Sequence, residues 1–583
     1  SLIHFPFSKK RKFIGQLFVE RKYPRIIELI SHNEMMITTR TMVLSVMAVC
    51  LTASADVRLP QIFGDNMILQ QKTSNAVWGF AEPGEKVTVK ASWGSEARVV
   101  ANKIGRWKIL VKTPGHGTGY RLTVQGKNTL TVRNVAIGEV WLCAGQSNMG
   151  WRLSAVFDGA KDAASANYPN LRIFRSERKH SHQPQEDCVA KWAPCAPDSA
   201  ATCSAVSFYF ARKLHQELKI PIGIVVQPYA GTPIEGWMPR EIQMNDPRTR
   251  KDVEETDKIS AAYDITQAKK QLERAMQRWK QGERRGKPVL RTPGNWGHQY
   301  PGNIFNGMIH PVRPYGIRGA IWYQGERNAK DVPQALNYRR QLTLLINYYR
   351  SSWHELSGGN VAKDFPFYFT QLPSWTPAQE KPVEHLEAAW AVNREMMRLV
   401  ASEVPNTGMA VSIDTGDVIA LHPKNKKPIG LRHAYLALKQ VYGKDIVANG
   451  PLFKKQTIKG NQISLEFDAV GSGLMTARPG KMNSFAIAGK DRKWHWADAK
   501  IKEDAVVVSS TEVSIPVAVR YAWAMNPSQR NLLYNKEGLP ASPFRTDSWP
   551  LFDPKKDQAV TVNKPQKPEG YQPKDWARPK MTQ

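Results

Sequence analysis

Long apolar runs are missing from this chain: no stretch of about 18 consecutive apolar residues occurs, which excludes a conventional membrane-spanning helix. Cysteine is scarce, five in 583 residues, and the spacing of Cys188, Cys195 and Cys203 fits no zinc-ligand pattern, so no metal is expected. There is no internal repeat at solenoid or propeller spacing. Acidic residues are outnumbered, 51 Asp and Glu against 82 Lys and Arg, for a net charge of +31. The basic residues are dispersed, apart from segment 246–291 and HPKNKK at 422–427, and no nucleic-acid-binding motif accompanies them. The excess therefore reads as a solvated surface, one that favours anionic substrates.

What is present suffices for folded domains: 42% hydrophobic residues, with 18 Trp, 18 Tyr and 19 Phe. Residues 36–55, MITTRTMVLSVMAVCLTASA, read as an export signal, with Arg40, an apolar run and Ala53-Ser54-Ala55 as the cleavage site. Segment 1–55 is then an upstream stretch plus signal, the mature chain starts at Asp56, and the protein is periplasmic or extracellular. Cys50 leaves with the signal and Cys143 belongs to a buried strand. In an oxidising compartment one disulfide is expected among Cys188, Cys195 and Cys203.

Residues 56–136 alternate in short strands with frequent turns, as in KVTVKASW and RWKILVKT, and predict a small β-sandwich. From 137 to 444 the pattern becomes strand–helix alternation. VSFYFARKLHQEL and YRRQLTLLINYYRSSW have helical spacing, whereas IGIVVQPYAG, IRGAIWYQGE, FPFYFTQL and GMAVSID are apolar runs. Apolar strands between helices predict an α/β fold with a parallel sheet covered on both faces. Segment 246–291 is a charged helical excursion from it. Strand patterns return over 445–552, as in NQISLEFDAV and EVSIPVAVRYAWA, and 553–583 is a Lys- and Pro-rich tail.

Four polar residues stand just past inferred strands of the 137–444 region. Ser147 follows EVWLCAGQ, Gly231 follows IGIVVQPYA, Asn328 follows IWYQGER, and His422 follows the strand in GMAVSID. Each alone has an ordinary reading: a helix cap, a tight turn, a loop amide, a structural histidine. Together, at the edge where α/β sheets place ligands, they form the set that acyl transfer requires.

Their order is that of the blocks of SGNH hydrolases. Longer stretches, among them FGDNMILQQ, AVWGFAEPGEKVTV, GEVWLCAGQSNM, FNGMIHPVRPYGIRGAIWYQGE, PNTGMAVSID and VRYAWAMNPSQRNLLYNKEGLPASPFRTD, closely resemble the sialate O-acetylesterase family over about residues 59–548. The resemblance implies a flavodoxin-like SGNH hydrolase domain flanked by β-sandwich-like domains, and removal of acetyl esters from sugars without a cofactor. It makes Ser147 the nucleophile and His422 its base. The N–H groups of Ser147 and Gly231 and the amide of Asn328 become the oxyanion hole. The sequence departs from the family in Ala230-Gly231-Thr232, in Glu326-Arg327-Asn328, and in Ala420, where many members carry an Asp two residues before the histidine. Asp417 is taken as the third catalytic member, with Asp414 or a backbone carbonyl as alternatives. Arg327 adds a cation, with two readings: a group suited to an acidic substrate such as sialic acid, or a side chain that simply points to solvent. The expected partner is an acetylated sugar or glycan, first of all sialic acid. Alternatives are plant cell-wall xylan or xyloglucan as substrate, or an inactive glycan-binding protein.

Overall fold

The computed structural model describes residues 56–283, 286–290 and 297–562. The expected export signal with Cys50, and the tail beyond residue 562, lie outside these residues.

Seven strands form the central sheet: β1 (Thr129–Gly145), β2 (Tyr168–Arg175), β3 (Trp192–Cys195), β4 (Ile222–Pro228), β5 (Gly319–Tyr323), β6 (Phe367–Thr370) and β7 (Thr407–Ala410). Their order is β7-β6-β5-β1-β4-β2-β3. All neighbours run parallel except the edge pair β2–β3. Counting only β1, β4, β5, β6 and β7, the order is 2-1-3-4-5, the flavodoxin-like arrangement. The sequence reading had not anticipated β2–β3, which extends the sheet beyond β4.

Every residue of β4, β5, β6 and β7 is buried, because helices cover both faces. Trp141 and Cys143 pack into the cluster built with Phe208 and Leu436, whereas Val140 and Leu142 join the one that includes Leu342 and Met397. Those partners lie on α1 (Ala205–Leu218) and α6 (Lys427–Gln440) on one side, and on α4 (Val332–Leu356) and α5 (Ala389–Glu403) on the other. Between them in sequence come α2 (Pro247–Ala261) and α3 (Ile265–Lys280), the predicted charged excursion. Asp246 and Asp264 cap α2 and α3 by accepting from backbone N–H groups of the first turn, and α3 has no buried residue.

The 17-residue β1 crosses the division drawn at 136/137. Up to Ile137 it pairs antiparallel with Gly117–Gln125; from Glu139 it pairs with β4 in parallel. The strand Arg106–Lys112 beside it shows period-two burial, with Trp107, Ile109 and Val111 inward and Leu110 exposed. Beyond α6, Leu452–Lys459, Gln462–Asp468, Ala505–Ser509 and Asp498–Lys502 form one four-stranded antiparallel sheet, and Phe485–Ala488 with Ala518–Tyr521 belongs to another. A single apolar core, including Val77, Leu142 and Ile487, runs through all three stretches.

The expected disulfide does not form. Cys143, Cys188, Cys195 and Cys203 are all free and buried. Cys143, Cys195 and Cys203 share one apolar cluster, while Cys188 lies in another, where Ser176 Oγ donates to its Sγ at 3.4 Å. Burial pushes Cys188 up to about 11 and Cys195 up to about 12, so none is poised as a thiolate.

Candidate active site

β1 ends against β5 so closely that only glycine fits. Gly145 has φ +142°, and a Cβ there would lie 2.2 Å from the Tyr323 carbonyl oxygen. Gln146 N–H donates to that same carbonyl at 2.9 Å, and Tyr229 N–H donates to Gly145 O at 2.9 Å. The turn is thus pinned to the ends of both β5 and β4. Ser147 opens a four-residue helix, Ser147–Gly150, and stays partly exposed between buried neighbours. Met149 anchors the turn from below, its Sδ accepting from Ser204 and Ser207 hydroxyls at 3.7 and 3.5 Å.

His422 comes from the loop between β7 and α6. Its Nε2 lies 2.7 Å from Ser147 Oγ, and its ring stacks on Trp151 at 4.7 Å between centroids and 18° between planes. Burial first, and the nearby Lys426 charge second, lower its pKa to about 4. The imidazole is therefore neutral and able to accept a proton at any higher pH.

Asp417 is not brought to His422. Its Oδ1 accepts from the N–H groups of Ile419 and Ala420 at 2.9 and 2.8 Å, a local turn that ties up the carboxylate two residues on. Asp414 is held by Arg432 through two bonds of 2.7 Å, and also accepts from Tyr534. No carboxylate, and no other acceptor among the described residues, takes a hydrogen bond from the second nitrogen of His422.

The expected oxyanion residues follow β4 and β5, the two strands that flank β1 and hence Ser147. Gly231, at φ +72°, follows β4. Neither its N–H nor that of Ser147 is taken by another group among the described residues. Asn328 is buried and locked: its Oδ1 accepts from Ile234 N–H at 2.9 Å and Gln324 Nε2 at 2.8 Å. Its Nδ2 donates to Glu235, with both carboxylate oxygens at 2.9 to 3.1 Å. One N–H aimed between two oxygens leaves the other, about 120° away, for a ligand. Gln341 Nε2 in turn donates to Glu235 at 2.7 Å.

One rim of the site is basic and aromatic. His298 stacks on Tyr229 at 5.0 Å, and His180 Nδ1 lies 3.0 Å from the Tyr229 hydroxyl. A side chain at Gly231 would meet His298 Nε2 at 3.6 Å, which places this wall beside the oxyanion hole. Arg327 is half-buried and donates to Gln299 Oε1 at 3.0 Å; Gln299 donates to Gly231 O at 3.2 Å. Burial lowers the His298 pKa, and the charges of His180, Arg327 and Arg178 lower it further.

Sequence reading missed Trp151, Glu235, Asn148, Glu326 and Lys426. Nothing in their spacing marks them, since each acts through contacts across 90 or more residues, as Asn328 with Glu235 does over 93.

The profile described as carbohydrate esterase, sialic acid-specific acetylesterase matches residues 137–285. The sialate O-acetylesterase of Mus musculus is 29% identical over 528 residues, covering 85% of this chain and 95% of that protein. That of Homo sapiens is 26% identical over 532 residues, covering 85% and 93%. A carbohydrate acetylesterase from Xanthomonas citri, known from its crystal structure, superposes with a TM-score of 0.70 at 34% identity, over 85% of this chain and 100% of that one. No helix of the described residues is long and apolar enough to cross a membrane.

Proposed function

This chain belongs to the sialic acid-specific acetylesterase family of carbohydrate esterases, and on that premise we propose that it is exported and removes O-acetyl groups from sialic acids with Ser147 as nucleophile. The observation that carries the chemistry is the 2.7 Å contact of Ser147 Oγ with His422 Nε2. Ser147 attacks the acetyl carbonyl while His422 takes its proton. The tetrahedral oxygen is held by the N–H groups of Ser147 and Gly231 and by the Asn328 amide. Collapse of that intermediate breaks the bond to the sugar oxygen, which leaves with the proton from His422. Water then repeats the cycle on the acetyl-serine, releasing acetate.

Support for an acidic sugar comes from the rim: Arg327 and the His180–Tyr229–His298 stack flank Gly231. A carboxylate bound there would be met by charge-assisted hydrogen bonds. The test measures acetate released from O-acetylated sialic acids, acetylated xylan and acetylated xyloglucan at equal ester concentration. Preference for the sialic acids is expected; preference for either neutral glycan would replace that reading with a cell-wall one. Ser147→Ala should abolish hydrolysis of every ester and leave the thermal unfolding midpoint unchanged; residual turnover within about tenfold of wild type would remove Ser147 from the mechanism. Export is tested by N-terminal sequencing of secreted protein, expected to begin at Asp56.

A further inference from the structure

The imidazole that this chemistry needs has no carboxylate behind it, yet the loop bearing it is gripped at one point. Asn148, the residue after the nucleophile, is wholly buried. Its Nδ2 donates to Glu326 Oε1 and, at 3.1 Å, to the carbonyl oxygen of Leu421, the residue just before His422. Its Oδ1 accepts from Lys426 Nζ at 2.5 Å. All the strong hydrogen-bonding capacity of one amide is thus engaged, and charges fix its orientation: a carboxylate on the N–H side, an ammonium on the oxygen side.

Asn148 and its three partners span three loops. Asn148 follows β1, Glu326 precedes the oxyanion residue Asn328 by two positions, and Leu421 and Lys426 bracket His422 on the approach to α6. Lys426 and Glu326 are both buried, and Lys426 also lies 5.2 Å over the Tyr323 ring. We propose that Asn148, clamped between Glu326 and Lys426, is the positioning residue for His422, holding the histidine through the Leu421 carbonyl where other Ser–His enzymes hold it through an acid.

The clamp also sets the field at the imidazole. Lys426 is the charged group that acts on His422, opposing its protonation. Burial draws the Lys426 ammonium down and Glu326 draws it back up, while burial raises Glu326. Asp417 and Asp414, on the same loop as His422, are turned to other partners. Ser147 and Trp151 contribute contact without charge.

This inference rests on the Ser147–His422 reading, and the two are separable. Hydrolysis of 4-nitrophenyl acetate by the wild-type protein tests the reading; variants measured against that rate test the clamp. Asn148→Asp keeps the shape but turns both donors into oxygen facing Glu326 and the Leu421 carbonyl. It should lower kcat at least about 30-fold with KM within about threefold, a forfeited share of general-base catalysis. The double variant Glu326→Gln/Lys426→Met removes both charges together, so neither is left buried without the other. It should move the acid limb of kcat/KM upward by roughly one pH unit, the effect of deleting one nearby like charge. A side chain that merely supports the fold would not move that limb. Asn148→Asp turnover within about threefold of wild type overturns the proposal, as does an unmoved limb in the double variant. Should Asn148→Asp fail to fold by circular dichroism, the limb alone decides.

Discussion

Replacing Arg327 by serine separates recognition of an acidic sugar from the chemistry of the ester. One guanidinium N–H donates to Gln299 at 3.0 Å, which leaves most of the five donors of this side chain for a substrate. A hydrogen bond to a charged group is worth about 1.5–3 kcal/mol. Arg327 is only half-buried, so water competes and the lower figure applies, about 1.5 kcal/mol or roughly tenfold in kcat/KM. That loss should appear with O-acetylated sialic acid and be absent, within about twofold, with 4-nitrophenyl acetate, which has no carboxylate to bind. The neutral ester also controls for an indirect effect, because Gln299 links Arg327 to the Gly231 carbonyl at 3.2 Å. Added salt should narrow the wild-type advantage on the acidic substrate by screening. Equal losses on both substrates would show that Arg327 acts by holding the Gly231 loop. No loss on either would refute the recognition argument outright.

Asn328→Ala should lower turnover on any acetyl ester by about 10²- to 10³-fold, the usual effect of deleting one oxyanion donor, and should also lower the unfolding midpoint, because Ile234 N–H and Glu235 lose buried partners; unchanged turnover would make the amide structural only. Asp417→Asn should keep turnover within about threefold of wild type, since an amide oxygen can still accept from Ile419 and Ala420; a loss near 10⁴-fold, the signature of a triad acid, would contradict the loop geometry. Acid should destabilise the fold through its buried histidines. Buried His433 is held near 3 and His422 near 4, both by burial first. The unfolded chain therefore takes up protons that the folded one refuses, and stability falls as pH drops from about 6.5 towards those values. Unfolding midpoints between pH 7 and pH 4 would check this, and a flat profile would count against it.

The four proposed site residues could be picked out because each follows a strand of one parallel sheet, and strand ends of such a sheet meet at one edge; of them the structure shows Ser147 and His422 in contact. The apolar runs ending at Gly145, Pro228, Tyr323 and Ala410 marked that edge before any contact was known. Asp417 was not legible as a bystander. Its distance from His422 along the chain is compatible with a contact, and only the turn that draws Oδ1 onto Ile419 and Ala420 rules one out. The β2–β3 pair was missed for a different reason: WAPC is four residues with a proline, and its pairing with β2 shifts register between Tyr168 and Arg172. Cysteine spacing misled because proximity in sequence does not fix pairing: Cys188 is buried in a different cluster from Cys195 and Cys203, and those two stay free within theirs. Asn148 was visible in GQSNM, but its partners are 178 and 273 residues away.

A histidine without a carboxylate changes how the work is divided. In a triad the acid stabilises the imidazolium that forms as the nucleophile loses its proton. Here burial and Lys426 oppose that imidazolium, so His422 is a weak base. It is correspondingly a strong acid once protonated, which favours the second half of the step, since a sugar oxygen leaves poorly unless protonated. The first half must then draw more of its stabilisation from the oxyanion side. The geometry agrees with that demand. Asn328 is fixed through three contacts to Ile234, Gln324 and Glu235, and the carboxylate it donates to polarises the amide. Gln324 is itself held, its Oε1 accepting from the Tyr338 hydroxyl at 2.8 Å. Rigid donors incur no reorganisation at the moment charge develops. A weak base is tolerable when the oxyanion it creates meets a hole already in place.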